Sequence, residues 1–193
     1  MHRFILTGAP GAGKTTLLRE LAARGHRTVP EAATDVIARA QAAGEAEPWT
    51  DPDFPLRVLA LQRERQRERQ WERQNARQGA TAAGAVLLHD RSPVCTHALA
   101  VYLGRPVPPA LAAELERIVD ERVYRREVFL VRPIGFCTPS AARRIDYPAS
   151  LAFERVHQDS YRHYGFRLLD VPPGPVPARA DLVADTLARL APG

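Results

Sequence analysis

The sequence predicts an α/β fold built on a parallel sheet. Three observations carry that expectation. Five short apolar runs alternate with helical patterns along the 193 residues, no second domain is visible, and the first run leads through a glycine-rich turn into an amphipathic stretch. The length suits one domain with a full core, so residues 1–193 are expected to form a single unit.

The elements follow in order. Phe4-Ile5-Leu6 is a short buried strand, and a helix runs from Lys14 to about Arg24 with Leu17, Leu18 and Leu21 on one face, closed by Gly25. Residues 26–30 form a second strand, and a helix carrying Val36 and Ile37 follows to near Gly44. Residues 45–55 are a polar, Pro-containing loop before a long helix from about Leu56 to Gln78. The third strand is Ala85 to Asp90. Helices near 93–103 and 110–122 come next, parted by Gly104 and the cluster Pro106, Pro108 and Pro109. Glu127–Val131 is the fourth strand. Residues 132–149, with four Pro or Gly and the adjacent Arg143 and Arg144, suit a small lid. Ser150 is the expected N-cap of a helix reaching about Tyr164. Residues 166–171 are the fifth strand, and Val183, Leu187 and Leu190 stripe a final helix.

Composition excludes several classes. The chain is 45% hydrophobic and 25% charged, a globular balance, and no apolar run approaches the ~18 residues that span a bilayer. The strand-like start at His2–Thr7 leaves no room for a signal peptide, so a cytoplasmic protein without a membrane role is expected. Cys95 and Cys137, 42 positions apart, have no CxxC or Cys/His cluster near them, which argues against a structural zinc and for buried thiols in a reducing compartment. The six His show no metal-ligand spacing.

The formal charge is +5, of which +3 falls on residues 62–78, with six Arg and three Glu in a period-four repeat of Gln, Arg and Glu. Arg65, Arg69, Arg73 and Arg77 form a like-charge stripe on that helix. The bland expectation is a solvated helix projecting from the body; the alternatives are a protein partner, self-association or an anionic ligand along helix 56–78. Only Trp71 interleaves with these charges, so nucleic acid is the weakest partner class.

All 27 Lys and Arg residues but one are Arg, and the exception is Lys14. It lies in Gly8-Ala9-Pro10-Gly11-Ala12-Gly13-Lys14-Thr15-Thr16, which satisfies G-x-x-x-x-G-K-[ST] between a strand and a helix. A loop that turns its N–H groups onto phosphates needs small residues and unusual backbone angles, hence Gly8, Gly11 and Gly13. The helix that starts there adds unpaired N–H groups and the positive end of its dipole. Lys14 is placed to reach the β- and γ-phosphates of ATP or GTP, and the Thr15 hydroxyl to ligate Mg²⁺.

Acceptor-side candidates lie at strand ends. Asp90 closes the third strand, where it could ligate Mg²⁺ through water or activate an acceptor hydroxyl; capping the next helix is the structural alternative, for which Ser92 serves equally well. Arg91 follows it and is a candidate to hold an acceptor or phosphate. Glu31, just past the second strand, competes with Asp90 as base. Arg143 and Arg144 are candidate lid cations that complete the site when nucleotide binds.

These residues together resemble the P-loop nucleoside- and metabolite-kinase-like proteins, in the branch related to the kinase domain of NadR. The resemblance is carried by the GAPGAGKTT loop, V-P-E-A-A at Val29–Ala33, L-L-H-D-R-S at Leu87–Ser92, A-R-R-I-D at Ala142–Asp146 and Y-R-H-Y-G-F-R-L-L-D-V-P at Tyr161–Pro172. It implies a P-loop NTPase sheet of strand order 2-3-1-4-5 with helices on both faces and a lid. It also implies that Glu31, Asp90 and Arg91 face the acceptor, while Arg143 or Arg144 closes over the phosphates. The expected activity is ATP/Mg²⁺-dependent phosphoryl transfer to a small hydroxyl-bearing metabolite, with nucleosides in view. A nucleotide-hydrolysing switch or regulatory module is the alternative.

Overall fold

The computed structural model describes residues 2–75, 86–135 and 146–191, with side chains for all of these but 68–75. Five parallel strands, β1 (His2–Thr7), β2 (Arg27–Val29), β3 (Val86–Asp90), β4 (Glu127–Val131) and β5 (Arg167–Val171), form one sheet in the order β2-β3-β1-β4-β5. This is the predicted order. Pairing sets Leu6 opposite both Asp90 and Phe129, so β1 is central and its C-terminal end abuts those of β3 and β4. Ligands in open α/β sheets bind at that edge, where the strand order reverses.

Alternation along β1 splits the core into two layers. Phe4 and Leu6 join Leu88, Phe129 and Val131 against α1 (Lys14–Ala23) and α7 (Val176–Leu190), which contribute Leu17, Leu21, Val183 and Leu187. Ile5 and Val128 face the other way, toward Leu59 of α3 (Phe54–Asn75), Val94 of α4 (Pro93–Tyr102), Leu111 and Leu115 of α5 (Pro109–Asp120) and Tyr161 of α6 (Tyr147–His163). A third cluster joins Val36 and Ile37 of α2 (Ala32–Ala42) to Phe54, Val58 and Leu61 of α3. That cluster lies beside the site described below.

Most predicted boundaries hold within a few residues, and Gly25 ends α1 as expected: its N–H bonds Ala22 O while the His26 N–H bonds Leu21 O. Three expectations need correction. The N-cap of α6 is Asp146, not Ser150: its carboxylate accepts from the Ala149 N–H at 2.8 Å, and Pro148 suits the first turn. Ser150 is fully buried and its hydroxyl donates to Tyr147 O, a role open to it only inside the helix. The loop over 45–55 contains a 3₁₀ turn at Pro48–Thr50.

The third correction concerns the start of the Arg-rich helix, which packs on the body instead of projecting. Gln66 is buried and donates to Tyr124 Oη at 3.0 Å, and Arg63 and Arg117 pair with the buried Glu114. Arg65 pairs with Asp35 and donates to Pro30 O. Carboxylates on neighbouring helices, the buried Glu114 and the partly exposed Asp35, are invisible in the local repeat and draw these arginines inward. The remainder of the stripe, Arg69, Arg73 and Arg77, lies outside the described side chains, as does Cys137. Among the described residues, no helix is long and apolar enough to cross a membrane.

Candidate functional site

Two of the motif's glycines are required by geometry. Gly8 has φ +140°, and a Cβ there would sit 2.3 Å from Val131 O, so β4 can lie against the loop only if the position is bare. Gly13, at φ +85°, is the N-cap of α1 and would press on the Arg179 guanidinium. The loop is also held from behind. Arg179, buried on α7, donates to Ala12 O and Arg132 O, each at 2.9 Å. Glu154, buried on α6, accepts from the Ala9 N–H at 3.2 Å and from Arg132 at 3.0 Å. Arg132 in turn pairs with Asp170 at the end of β5.

Lys14 is 6% exposed and folds back on the loop, donating to Ala9 O at 2.9 Å and Gly8 O at 3.2 Å. Burial, with Arg91 nearby, lowers its pKa to about 8, against the opposing pull of Asp90 and Glu31. Asp90 is 5% exposed. Burial pushes its carboxyl up to about 6, with Lys14 drawing it down and Glu31 adding to the rise. Its Oδ2 lies 3.5 Å from the Thr15 hydroxyl, and its Oδ1 is buried without a hydrogen-bond partner among the described residues. Two hard oxygen donors, one of them unsatisfied, fit Mg²⁺, which takes one or two protein ligands and keeps several waters. The helix-cap alternative for Asp90 does not hold, because Ser92 caps α4 by accepting from the Val94 N–H at 3.3 Å.

Glu31 is the N-cap residue of α2, and its carboxylate accepts from Thr34 Oγ1 and lies 2.7 Å from Arg91 Nε. Arg91, whose side chain is only 10% exposed, also contacts His157 Nε2 through Nη1 at 2.8 Å. Strand ends therefore bring Lys14, Thr15, Glu31, Asp90 and Arg91 together. Arg143 and Arg144 lie outside the described residues.

A cleft of about 630 Å³ opens over Lys14, Thr15, Glu31 and Arg91. Pro10, Gly11, Gly13, Lys14, Thr15 and Thr16 line one end. Gly8 is buried against β4, and Ala9 and Ala12 belong to the core on the loop's far side. Glu31 and Arg91 lie along the cleft, and its far walls are Ile37, Trp49, Phe54, Val58, Tyr102 and Phe153. Gln62 and Thr96 set a polar pair in this apolar wall, the Thr96 hydroxyl donating to Gln62 Oε1 at 3.2 Å. Asp90 stays behind Thr15.

Motif reasoning passed over Glu154, His157, Arg132 and Arg179. A signal for two of them does exist. The buried residues of α6 are Ser150, Glu154, His157, Ser160 and Tyr161, so polar residues occupy a helical stripe where an amphipathic helix ordinarily carries aliphatic ones. Polar groups on a buried face need partners, and here those are the phosphate loop and Arg91.

The comparisons agree with this architecture. A deoxyadenosine kinase from M. mycoides, solved with the products dCMP and dCDP, superimposes at a TM-score of 0.55 with 15% identity, covering 97% of this chain and 99% of that one. The same kinase with bound dATP matches at 0.51 and 14% (97% and 99% covered), and with dCTP at 0.54 and 15% (98% and 100%). At such identity the likeness establishes the fold. No curated protein matches the sequence. The family description "AAA domain" matches residues 3–179, nearly the whole chain, and with the phosphate loop in place the protein belongs to that AAA domain family.

Proposed function

We propose that this protein is a kinase that transfers the terminal phosphoryl group of ATP or GTP, with Mg²⁺, to a hydroxyl of a small metabolite, a nucleoside being the acceptor that suits the cleft. The observation that carries the reading is the Glu31–Arg91 pair, set between the phosphate loop and an apolar, aromatic-walled cleft. A hydrolase needs to admit only water beside the terminal phosphate, whereas this space is large enough for a second small molecule. The similar structures, which hold dATP, dCTP and dCMP, support nucleosides and nucleotides as the ligand class.

Roles follow from placement. Glu31, at the cleft surface, accepts the proton of the attacking hydroxyl, and Asp90, behind Thr15, serves the metal. Thr15 and Asp90 would hold Mg²⁺, which offsets the charge on the phosphates when bound. Lys14 exchanges its two loop carbonyls for phosphate oxygens. Arg91 is oriented by Glu31 and donates to the acceptor or the migrating group.

Purified protein incubated with ATP or GTP, Mg²⁺ and a panel of nucleosides and other hydroxyl metabolites tests the reading. One acceptor is expected to yield a phosphorylated product. Release of free phosphate alone across the panel overturns the kinase assignment in favour of a nucleotide-hydrolysing switch.

A further inference from the structure

Arg91 is fixed at three points. Its backbone sits at φ +69°, a left-handed conformation that a non-glycine residue adopts only when its surroundings enforce it, and its N–H bonds Leu6 O at 3.0 Å. Glu31 holds the Nε side of the guanidinium as an ion pair, its Oε1 2.7 Å from Nε but off the line of the N–H, so the contact is Coulombic and not a hydrogen bond. The third point is His157, 0% exposed, whose Nε2 lies 2.8 Å from Arg91 Nη1.

The other ring nitrogen fixes the chemistry of that contact. Nδ1 lies 2.9 Å from Phe153 O, one helical turn earlier, and a carbonyl oxygen can only accept. Nδ1 therefore carries the ring hydrogen, and Nε2 presents its lone pair to the guanidinium. Such a ring must be neutral. Full burial, and then the Arg91 charge, hold His157 well below the ordinary histidine value. The Phe153 ring packs on the imidazole at a centroid distance of 4.2 Å and lines the cleft itself, so the histidine has little room to turn.

We propose that His157 is the positioning residue for Arg91: as a neutral acceptor it takes one N–H of the guanidinium and, with Glu31 on the opposite side, aims the remaining donors into the cleft. The inference rests on the reading of Arg91 as the group that meets the acceptor or the migrating phosphoryl. A guanidinium has five N–H donors in a rigid plane, so two fixed partners define the direction of the others. Removing the histidine acceptor leaves the charge in place and frees its direction, and a misplacement of about 1 Å at a reacting centre costs on the order of 100-fold.

Three variants and one spectrum test this. His157→Leu fills the space without an acceptor, and His157→Asn keeps only the Phe153 bond. His157→Gln restores an acceptor oxygen at the position of Nε2. The expected pattern for transfer is a loss in kcat of about 10- to 100-fold in the Leu and Asn variants, recovery to within about threefold in the Gln variant, and nucleotide affinity within about twofold throughout. Equal losses in all three variants, or none in the Leu variant, overturn the proposal. ¹⁵N NMR of the nucleotide-free wild-type protein supplies a readout that needs no acceptor. A hydrogen on Nδ1 and none on Nε2, with the Arg91 Nη1 and Nη2 signals resolved, is expected. An Nε2–H ring, an imidazolium, or an averaged guanidinium overturns the proposal even where no acceptor has been found. If instead the panel yields only free phosphate while the spectrum is as expected, the kinase reading fails and the Arg91–His157 contact stands.

Discussion

The donor end and the acceptor end of the cleft are built on different principles. At the proposed donor end the backbone would carry the binding, so nine consecutive residues, Gly8 to Thr16, encode it, and the helix that follows supplies its dipole. At the proposed acceptor end side chains would carry it. Glu31, Arg91 and the α6 pair Phe153 and His157 come from three separate places in the chain and meet only because β2, β3 and α6 end or pass at one edge of the sheet. A backbone site is written locally, and a side-chain site is written in the topology.

The largest effect expected of that contrast is at Gly8. Its absent Cβ makes room for Val131 O, a backbone atom that cannot step aside. Gly8→Ala should therefore cost several kcal/mol, about 3 or more by the scale of core overpacking and backbone strain, and abolish nucleotide binding along with transfer. Thermal unfolding and titration of a fluorescent nucleotide measure both, and an alanine variant of normal stability and affinity would show that the loop tolerates a side chain here.

Glu31→Gln is the acceptor-side counterpart. Loss of a general base lowers kcat by roughly 10²- to 10⁴-fold. Because Glu31 touches Arg91 and not the loop, nucleotide affinity and slow background hydrolysis should stay close to those of wild type. A matching fall in nucleotide affinity would mean that the two ends are not separable.

Lys14 sharpens the comparison, since the role proposed for it at the donor end is set against a cost to stability. Its ammonium is buried, with a pKa of about 8 against 10.5 for an ordinary lysine. Between those two values the unfolded chain holds a proton that the folded chain has released, so stability climbs as pH rises through the interval. Lys14→Met should lose roughly 10²- to 10³-fold in transfer, raise the Tm of the nucleotide-free protein by a few degrees at pH 7, and flatten that climb. Transfer assays and unfolding curves at pH 7, 8 and 9.5 check it; a lower Tm for the Met variant contradicts the account of burial.

Legibility in the sequence follows the same division. The five strands and their helices could be read from apolar periodicity, and the phosphate loop from its spacing. Glu31, Asp90 and Arg91 were legible as candidates because each stands at a strand end, where α/β ligands bind. Dividing them into a cleft-lining Glu31 and an Asp90 behind Thr15 needed coordinates. Ser150 misled because a serine before a helical pattern looks the same whether it caps the helix or lies buried in its first turn. The Arg-rich repeat misled for a complementary reason: its period describes the helix surface, while Glu114 and Asp35, which draw Arg63 and Arg65 in, lie on other helices.

α6 is where the separation of the two ends should fail, and by the smallest margin. Glu154 and His157 stand on one face of it, the first accepting from the Ala9 N–H of the loop and the second from Arg91. Glu154→Gln keeps an oxygen for Ala9 and removes the charge that pairs with the partly exposed Arg132. The loop keeps its shape, because Arg179 still holds Ala12 O, but it loses one fixed point on the side facing α6. A rise in the nucleotide KM of about two- to fivefold, with kcat nearly unchanged, corresponds to the ~0.5–1 kcal/mol expected when a charged hydrogen bond becomes a neutral one. Steady-state kinetics at varied nucleotide separate the two parameters. An effect confined to the acceptor KM would mean that α6 supports the acceptor end alone; an effect on the nucleotide KM would mean that a single helix registers both substrates.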